Sequence, residues 1–326
     1  MPANLTPEYF KAEKWFREAA TAEEKLLALE QMLRVMPKHK GTDHLRADLR
    51  RKLSKLKEAP VKKAATHVDI FHVPRSGAGQ IVLLGTPNCG KSSIVASLTN
   101  AKVNVADFPF ATSAPVPGMV KFEDIPIQLV DMPPITADYL APGQVGTYRN
   151  CDVIAIVIDL SADAGEQMQI CLDFLESRNL LIDAETPAVD EHGNVLAKRV
   201  FCICTKSDIA KAGALEALKQ SCKYPFEFVE ISTKTGAGLD KLSATFFSSL
   251  NIIRIYAKPP GKPADMTDPF TLPAGSTVMD LAIAIHRQLA ERLKFARIWG
   301  TGVYPGQNAQ RNHILNDKDI IELHFS

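Results

Sequence analysis

Residues 85–92 read Gly-Thr-Pro-Asn-Cys-Gly-Lys-Ser and follow directly on the apolar run Ile81-Val82-Leu83-Leu84. A strand that runs into a glycine-rich turn and then a helix leaves little freedom in fold. Gly85 and Gly90 let the backbone wrap with its N–H groups turned inward, where they suit phosphate oxygens. Lys91 places a cation on the outer phosphates, and Ser92 offers a hydroxyl to magnesium. Ile94, Val95 and Leu98 continue at helical spacing. The segment implies a βα unit in a parallel sheet and a nucleoside triphosphate site, with Asn88, Cys89, Gly90, Lys91, Ser92 and Ser93 around the phosphates.

The base is read further along. Thr205-Lys206-Ser207-Asp208 follows the β-rich run Val200-Phe201-Cys202-Ile203-Cys204 and differs by one letter from an Asn-Lys-x-Asp motif. A carboxylate at Asp208 can accept two hydrogen bonds from guanine, through N1–H and the exocyclic amine. Adenine lacks that donor pair and would leave a charged acceptor unpaired. The stem of Lys206 can lie along the base. Ser232 and Thr233, after the run Phe226-Glu227-Phe228-Val229-Glu230, stand where a backbone N–H closes over the guanine oxygen. Between these motifs lie two switch candidates. Ile127-Gln128-Leu129-Val130-Asp131 is a buried strand ending in a carboxylate that can orient metal-bound water. Phe108-Pro109-Phe110-Ala111-Thr112 supplies a second hydroxyl ligand for magnesium at Thr112. Lys91, Thr112 and Asp131 are thus the candidate catalytic set, and Ser92 and Thr112 the candidate magnesium ligands.

In this order the motifs resemble those of the Obg-related guanosine triphosphatases, and most closely their developmentally regulated GTP-binding (DRG-like) branch. Phe108–Thr112 resembles that branch's Tyr-Pro-Phe-Thr-Thr segment. Ile253-Arg254-Ile255-Tyr256-Ala257-Lys258-Pro259, Gly275-Ser276-Thr277-Val278, Asp280, Trp299-Gly300 and Asp317-Lys318-Asp319 resemble a TGS domain. That small β-grasp module also occurs in threonyl-tRNA synthetases and stringent-response enzymes. His39-Lys40-Gly41-Thr42 resembles the DRG helical region. The fold expected is α/β: a doubly wound P-loop GTPase sheet at 80–250, preceded by a helical hairpin at 1–66 and a linker at 67–79. A small β-grasp TGS domain follows at 252–326.

The chain departs from that pattern in three places. The third family motif is Asp-x-x-Gly, whose glycine N–H meets the γ-phosphate; here it reads Asp131-Met132-Pro133-Pro134. Proline has no N–H to give. Ile135 stands where Ras-like enzymes carry a water-orienting glutamine. Obg relatives also lack that glutamine and often use a monovalent cation, and Asn88 resembles their potassium-coordinating asparagine. The alternative for Asn88 is a plain turn residue. Finally, the domain that DRG proteins insert before the guanine motif shrinks to Leu180–Arg199, where Asp190-Glu191-His192-Gly193-Asn194 suggests a hairpin-like turn.

Composition limits the remaining classes. A net charge of +1 gives no bulk attraction to nucleic acid, although residues 1–66 hold fifteen Lys and Arg against nine Asp and Glu. Arg46, Arg50, Arg51, Lys52, Lys55, Lys57, Lys62 and Lys63 gather there. Leu26, Leu29, Leu33 and then Leu45, Leu49, Leu53, Leu56 recur at helical spacing, with a break at Pro37–Thr42. That pattern reads as two antiparallel helices, whose basic face is either ordinary solvated surface or a contact for ribosomal RNA phosphates. In the TGS region a single helix over Val278–Leu293 and a closing strand at Ile320–Phe325 are expected. None of the six cysteines forms a C-x-x-C pair, and no leader or long apolar span is visible, so reduced thiols in the cytoplasm are expected.

Three functional readings follow. The first is a slow, magnesium-dependent GTPase with GTP, GDP and ribosomes or structured RNA as partners, potassium as monovalent activator, and no DNA or membrane partner. The second is a guanine-nucleotide sensor with little hydrolysis. The third, a scaffold with a vestigial site, is opposed by Gly90-Lys91-Ser92, Thr112 and Lys206-x-Asp208. Oligomeric state is not read from the sequence.

Overall fold

The computed structural model describes residues 6–18, 22–37, 42–58, 71–101, 114–136, 143–181 and 198–325. The chain divides into two compact units, 1–68 and 69–326.

The first unit holds α1 (Pro7–Glu18), α2 (Ala22–Val35) and α3 (Asp43–Glu58). Leu29, Met32 and Met36 repeat at helical spacing and bury against Tyr9 and Ala12 of α1 and Leu49 of α3. Thr42 Oγ1 donates to Pro37 O at 2.6 Å across the α2–α3 break. The expected hairpin is thus joined by a further helix, α1. Its apolar residues fall on two faces, Tyr9 and Ala12 buried but Phe10 and Trp15 exposed, which blurs the stripe in the sequence. Arg50, Arg51 and Lys52 are exposed on α3. Lys62, Lys63, His39–Gly41 and the side chains of Leu26, Lys55, Leu56 and Lys57 lie outside the described residues.

In the second unit, residues 71–79 lie against the first sheet. Phe71 is buried, Thr147 Oγ1 donates to Phe71 O at 2.5 Å, and Ala78 N donates to Pro126 O at 2.8 Å. Then follow β1 (Gln80–Leu84), α4 (Lys91–Leu98), β2 (Val116–Phe122), β3 (Ile125–Asp131), α5 (Gln144–Asn150) and β4 (Val153–Asp159). α6 (Ala164–Glu176), β5 (Arg199–Thr205), α7 (Ala214–Ser221), β6 (Phe228–Glu230) and α8 (Leu239–Leu250) complete the domain. The six strands order as β2-β3-β1-β4-β5-β6, parallel except for β2. Alternation along each strand feeds two cores. Val82, Leu84, Ile154 and Ile156 face Met168, Leu172 and Leu175 of α6. Ile81, Leu83, Ala155 and Ile203 face Ile94 and Val95 of α4 and Leu242 and Phe246 of α8. The doubly wound expectation holds. The last strand is shorter than its apolar run, because Phe226 N turns back to Tyr224 O after Pro225.

A second sheet, ordered β10-β9-β11-β7-β8, follows. It comprises β7 (Ile252–Ala257), β8 (Phe270–Pro273), β9 (Leu293–Trp299), β10 (Gln307–Ala309) and β11 (Asp319–Phe325), with α9 (Val278–Ile285) and α10 (Arg287–Ala290) between β8 and β9. β7 and β11 run parallel and the other pairs antiparallel. Thr277 and Asp280 form a reciprocal capping box that starts α9. The single helix expected over 278–293 is instead two, because His286 adopts extended backbone (φ −164, ψ 110) and ends α9. Residues 291–292 then turn into β9.

The two sheets are joined by a buried arginine. Arg254 on β7 has a side chain only 3% exposed. It meets Glu123 at 2.5 Å and Asp124 at 2.9 Å, both at the tip of the β2–β3 hairpin, and Asp317 at 2.7 Å. Its guanidinium lies 4.6 Å from the Phe247 ring, which stacks on Phe122. Tyr256 OH donates to Asp124, and Lys318 pairs with Glu123 at 2.9 Å.

Candidate functional site

The phosphate loop sits where β1 ends and α4 begins. Gly85 has no room for a side chain: a Cβ there would come within 2.6 Å of Cys89 Sγ and 2.7 Å of Val157 O. Gly90 takes φ +101, which favours glycine, and packs on Thr205. Asn88 also has positive φ, at 59. Asparagine tolerates that region better than most residues, so the turn alone is one sufficient reason for it. Lys91 is buried and donates to Gly85 O at 3.0 Å and Thr86 O at 2.9 Å, bending over the loop. Cys89 is fully buried beside it, and burial pushes its thiol up. Ser93, the next residue on α4, is half-buried.

Ser92 and Asp131 converge although 39 residues separate them. Ser92 Oγ donates to Asp131 Oδ2 at 2.6 Å, and Asp131 is fully buried at the end of β3. A hydroxyl and a carboxylate at this spacing form a hard-oxygen donor set, the chemistry that suits magnesium. Thr112 and the segment Phe108–Ala111 lie outside the described residues.

The Asp131–Ile135 stretch is packed shut. Met132, Pro133, Pro134 and Ile135 are all buried. Ile135 N donates to Gly85 O at 3.1 Å, and Gln144 Nε2 donates to Pro133 O at 2.7 Å. Pro134 has no N–H, and the next amide is committed to the phosphate loop's own carbonyl. Gln144, fully buried at the start of α5, went unnoticed in the sequence because nothing in its local pattern sets it apart.

The two segments expected to read the base meet at the ends of β5 and β6. Ser232 is buried, and its hydroxyl donates to Asp208 Oδ1 at 2.8 Å. Asp208 itself is exposed and Thr233 half-buried. Ser207 N donates to Ile231 O at 3.2 Å, so the two loops are tied through backbone as well. Thr205, where the usual motif has asparagine, donates its Oγ1 to Cys89 O at 2.7 Å, fastening β5 to the phosphate loop. Lys206 has φ 57, and its ammonium meets Asp159 at 2.6 Å. Burial pushes the Asp159 carboxyl up, but hydrogen bonds from Lys206 and Ser161 outweigh it and hold the group below the ordinary range. Gln167 accepts from Asp159 N at 3.0 Å and from Thr86 Oγ1 at 3.4 Å, linking β4 to the phosphate loop. Asp159 and Gln167 escaped the sequence reading because each lies on an otherwise ordinary strand or helix. Segment 190–194 is outside the described residues. Among the described residues no helix is long and apolar enough to cross a membrane, and no group of three or more His, Cys, Asp and Glu side chains forms a metal cluster.

This assembly of loop and doubly wound sheet is that of a P-loop GTPase domain. Residues 80–186 match the family described as 50S ribosome-binding GTPase, and residues 253–324 match the TGS domain. The chain is therefore a GTP-binding protein in which a GTPase domain precedes a TGS domain, and it is related to the DRG proteins over most of its length. It is 25% identical to developmentally-regulated G-protein 2 of Arabidopsis thaliana, across 92% of this chain and 90% of that protein. Among solved structures it is similar to the G domain of the T. maritima FeoB iron transporter, with a TM-score of 0.39 at 23% identity over 52% of this chain and 98% of that one. The NFeoB structure from S. thermophilus bound to GDP.AlF4- and K+ aligns with a TM-score of 0.38 at 18% identity, over 52% of this chain and 62% of that chain.

Proposed function

We propose that this chain is a slow GTP-hydrolysing switch that works on ribosomes or structured RNA in the cytoplasm, with magnesium as cofactor and potassium as activator. The observation that carries the nucleotide part is the meeting of Ser92 and Asp131 next to the buried Lys91 at one end of the sheet, with Asp208 and Ser232 paired on the loops after β5 and β6. Magnesium would be held by Ser92 and Thr112, with Asp131 orienting its water, and it supplies charge neutralisation between the outer phosphates. Lys91 adds a cation over the same oxygens. Asp208, oriented by the Ser232 hydroxyl, selects guanine. Asp208→Ala is expected to cost about 2–4 kcal/mol of GDP affinity, because it removes two charge-assisted hydrogen bonds. Equal affinity of the native protein for ADP and GDP, by calorimetry, defeats the guanine assignment.

Slow turnover rests on Pro134 and Ile135. One γ-phosphate donor is missing, and a preorganised donor in such a site is worth roughly 3 kcal/mol of barrier, about a hundredfold in rate. The side-chain oxygen of Asn88 can hold potassium against charge developing between the β- and γ-phosphates. Hydrolysis is expected to run faster in potassium than in sodium at matched ionic strength, and Asn88→Ala to erase the difference. Equal rates in both salts leave Asn88 as a turn residue. The alternative, a nucleotide sensor with little hydrolysis, is favoured by the burial of residues 132–135. Single-turnover assays separate the two.

The RNA part is supported by the matched family's description as ribosome-binding, by the TGS domain and by the exposed basic residues of α3. Salt-sensitive co-sedimentation with ribosomes is expected. Co-sedimentation unchanged after removal of both 1–66 and 252–326 refutes it.

A further inference from the structure

The TGS sheet uses its two faces differently. Ile253 and Ile255 of β7, Ala296 and Ile298 of β9, and Ile321 and Leu323 of β11 bury on one face with Leu281 and Ala282 of α9. The residues between them point the other way. On β7 these are Arg254 and Tyr256, and both are taken up by the hairpin tip at Glu123 and Asp124. Toward β9 and β10 the same face stays open. Phe295 is 38% exposed, Arg297 and Asn308 are exposed, and Trp299 and His324 are half-buried.

Strand register gives this open region a definite layout. Phe295 pairs with His324, and Arg297 lies between Glu322 and Asn308. The Phe295 and His324 rings stack at 4.3 Å with 14° between their planes. Lys258 lies 4.9 Å from the Trp299 ring centroid and pairs with Glu322. Glu322 also meets His324 Nε2 at 2.7 Å. The carboxylate of this face is thus already engaged from two sides. Among the described residues Arg297 makes no ion pair, and Lys294 is exposed at the start of the same strand.

We propose that this face is a docking platform for single-stranded RNA. It rests on the RNA-associated function proposed above and assigns that contact to one surface. A base stacks on the Phe295–His324 pair, Arg297 and Lys294 meet the flanking phosphates, and Asn308 offers an amide to a base edge or a 2′-hydroxyl. Flat rings standing on a sheet can meet only an unstacked base, so a single strand fits and a duplex does not. An acidic protein would use the cations but would leave the paired rings without a stacking partner. The open region is also continuous with the Arg254 contact, so the strand would lie next to the joint between the two domains.

The test uses the full chain and a short fluorescein-labelled oligouridine, read by fluorescence anisotropy. Phe295→Ala is expected to weaken binding about tenfold, while Phe295→Tyr, which keeps a ring, binds as the parent does. Arg297→Ala is expected to lower the slope of log affinity against log salt by about 0.7. The thermal unfolding transition and GDP affinity should both be the same in all three variants, which shows that the fold is intact. The proposal is overturned if Phe295→Ala binds oligouridine like the parent, or if duplex RNA of equal length competes as well as the single strand. Ribosome co-sedimentation that is intact in a chain whose oligouridine binding ignores these substitutions sinks the platform and spares the proposed function. Loss of ribosome binding with oligouridine binding intact and sensitive to Phe295 does the reverse.

Discussion

Lys91→Ala is expected to lower GTP turnover on the order of a thousandfold, about 4 kcal/mol of barrier. Two effects combine. The ammonium is the buried cation at the mouth of the phosphate loop, and at low dielectric its attraction for the outer phosphate oxygens is far larger than in water. Its loss also strips a donor from Gly85 O and Thr86 O, which it reaches at 3.0 and 2.9 Å. The second effect is structural and smaller, about 1 kcal/mol for hydrogen bonds that water replaces in part. The two separate by experiment. Thermal unfolding should shift little, while single-turnover hydrolysis collapses. Lys91→Arg should not rescue it, because a planar fork does not fit a cage sized for an ammonium. Ser92→Ala should fail by a different route, through lost response to magnesium concentration. Turnover within a few-fold of the parent in Lys91→Ala would remove Lys91 from the catalytic set.

How far the sequence could be read follows from how local each signal is. The phosphate loop was legible because its spacing is dictated within eight consecutive residues, and the sheet because β4 is apolar at every position from Val153 to Ile158. The sequence names Ser92, Asp131, Asp208 and Ser232 as site candidates, but not that Ser92 meets Asp131 and Ser232 meets Asp208 directly. What stayed hidden depends on partners far apart in the chain. Gln144 reads as any polar residue at a helix start until its amide is seen on Pro133 O. Asp159 looks like a strand end until Lys206 meets it from 47 residues away. The break at His286 escaped because the helical stripe of α9 runs on through Leu289 and Leu293 in sequence, whereas the backbone there turns away to begin β9. Pro133 and Pro134 read as stiffening the third motif, but no local pattern signals that the whole segment to Ile135 is also buried.

Arg254→Ala is expected to destabilise the unit spanning 69–326 by about 3 kcal/mol, the low end of the range for breaking a buried ion pair by removing one partner. The low end applies because its carboxylates are partly hydrated: Glu123, Asp124 and Asp317 have side chains 49%, 20% and 33% exposed. Glu123 therefore contributes least. At roughly 2–4 °C per kcal/mol for a unit of this size, the transition should fall by about 6–12 °C. The acid limb gives an independent check. Burial pushes Asp317 and Asp124 up, but hydrogen bonds, from Arg254 to both and from Tyr256 to Asp124, outweigh it and leave both below the ordinary carboxylate value. A carboxylate lowered in the folded state adds stability above its unfolded value, near pH 4, and loses it as pH falls through the lowered one. The native chain should therefore lose stability below about pH 4 more steeply than Arg254→Ala, which no longer has that contribution to lose. Arg254→Met, which keeps a stem against Phe122 and Phe247 without the charge, should recover part of the packing and none of the pH response. An unchanged transition with an unchanged acid limb would show that the joint is ornamental. Its position argues otherwise. The hairpin it grips is made of β2, which begins just after the segment containing Thr112, and β3, which ends at Asp131. β3 thus carries Asp131 at one end and the Asp124 side of the arginine's grip at the other, and β2 pairs with it along its whole length, so loosening the tip removes a restraint from the strand that holds Asp131.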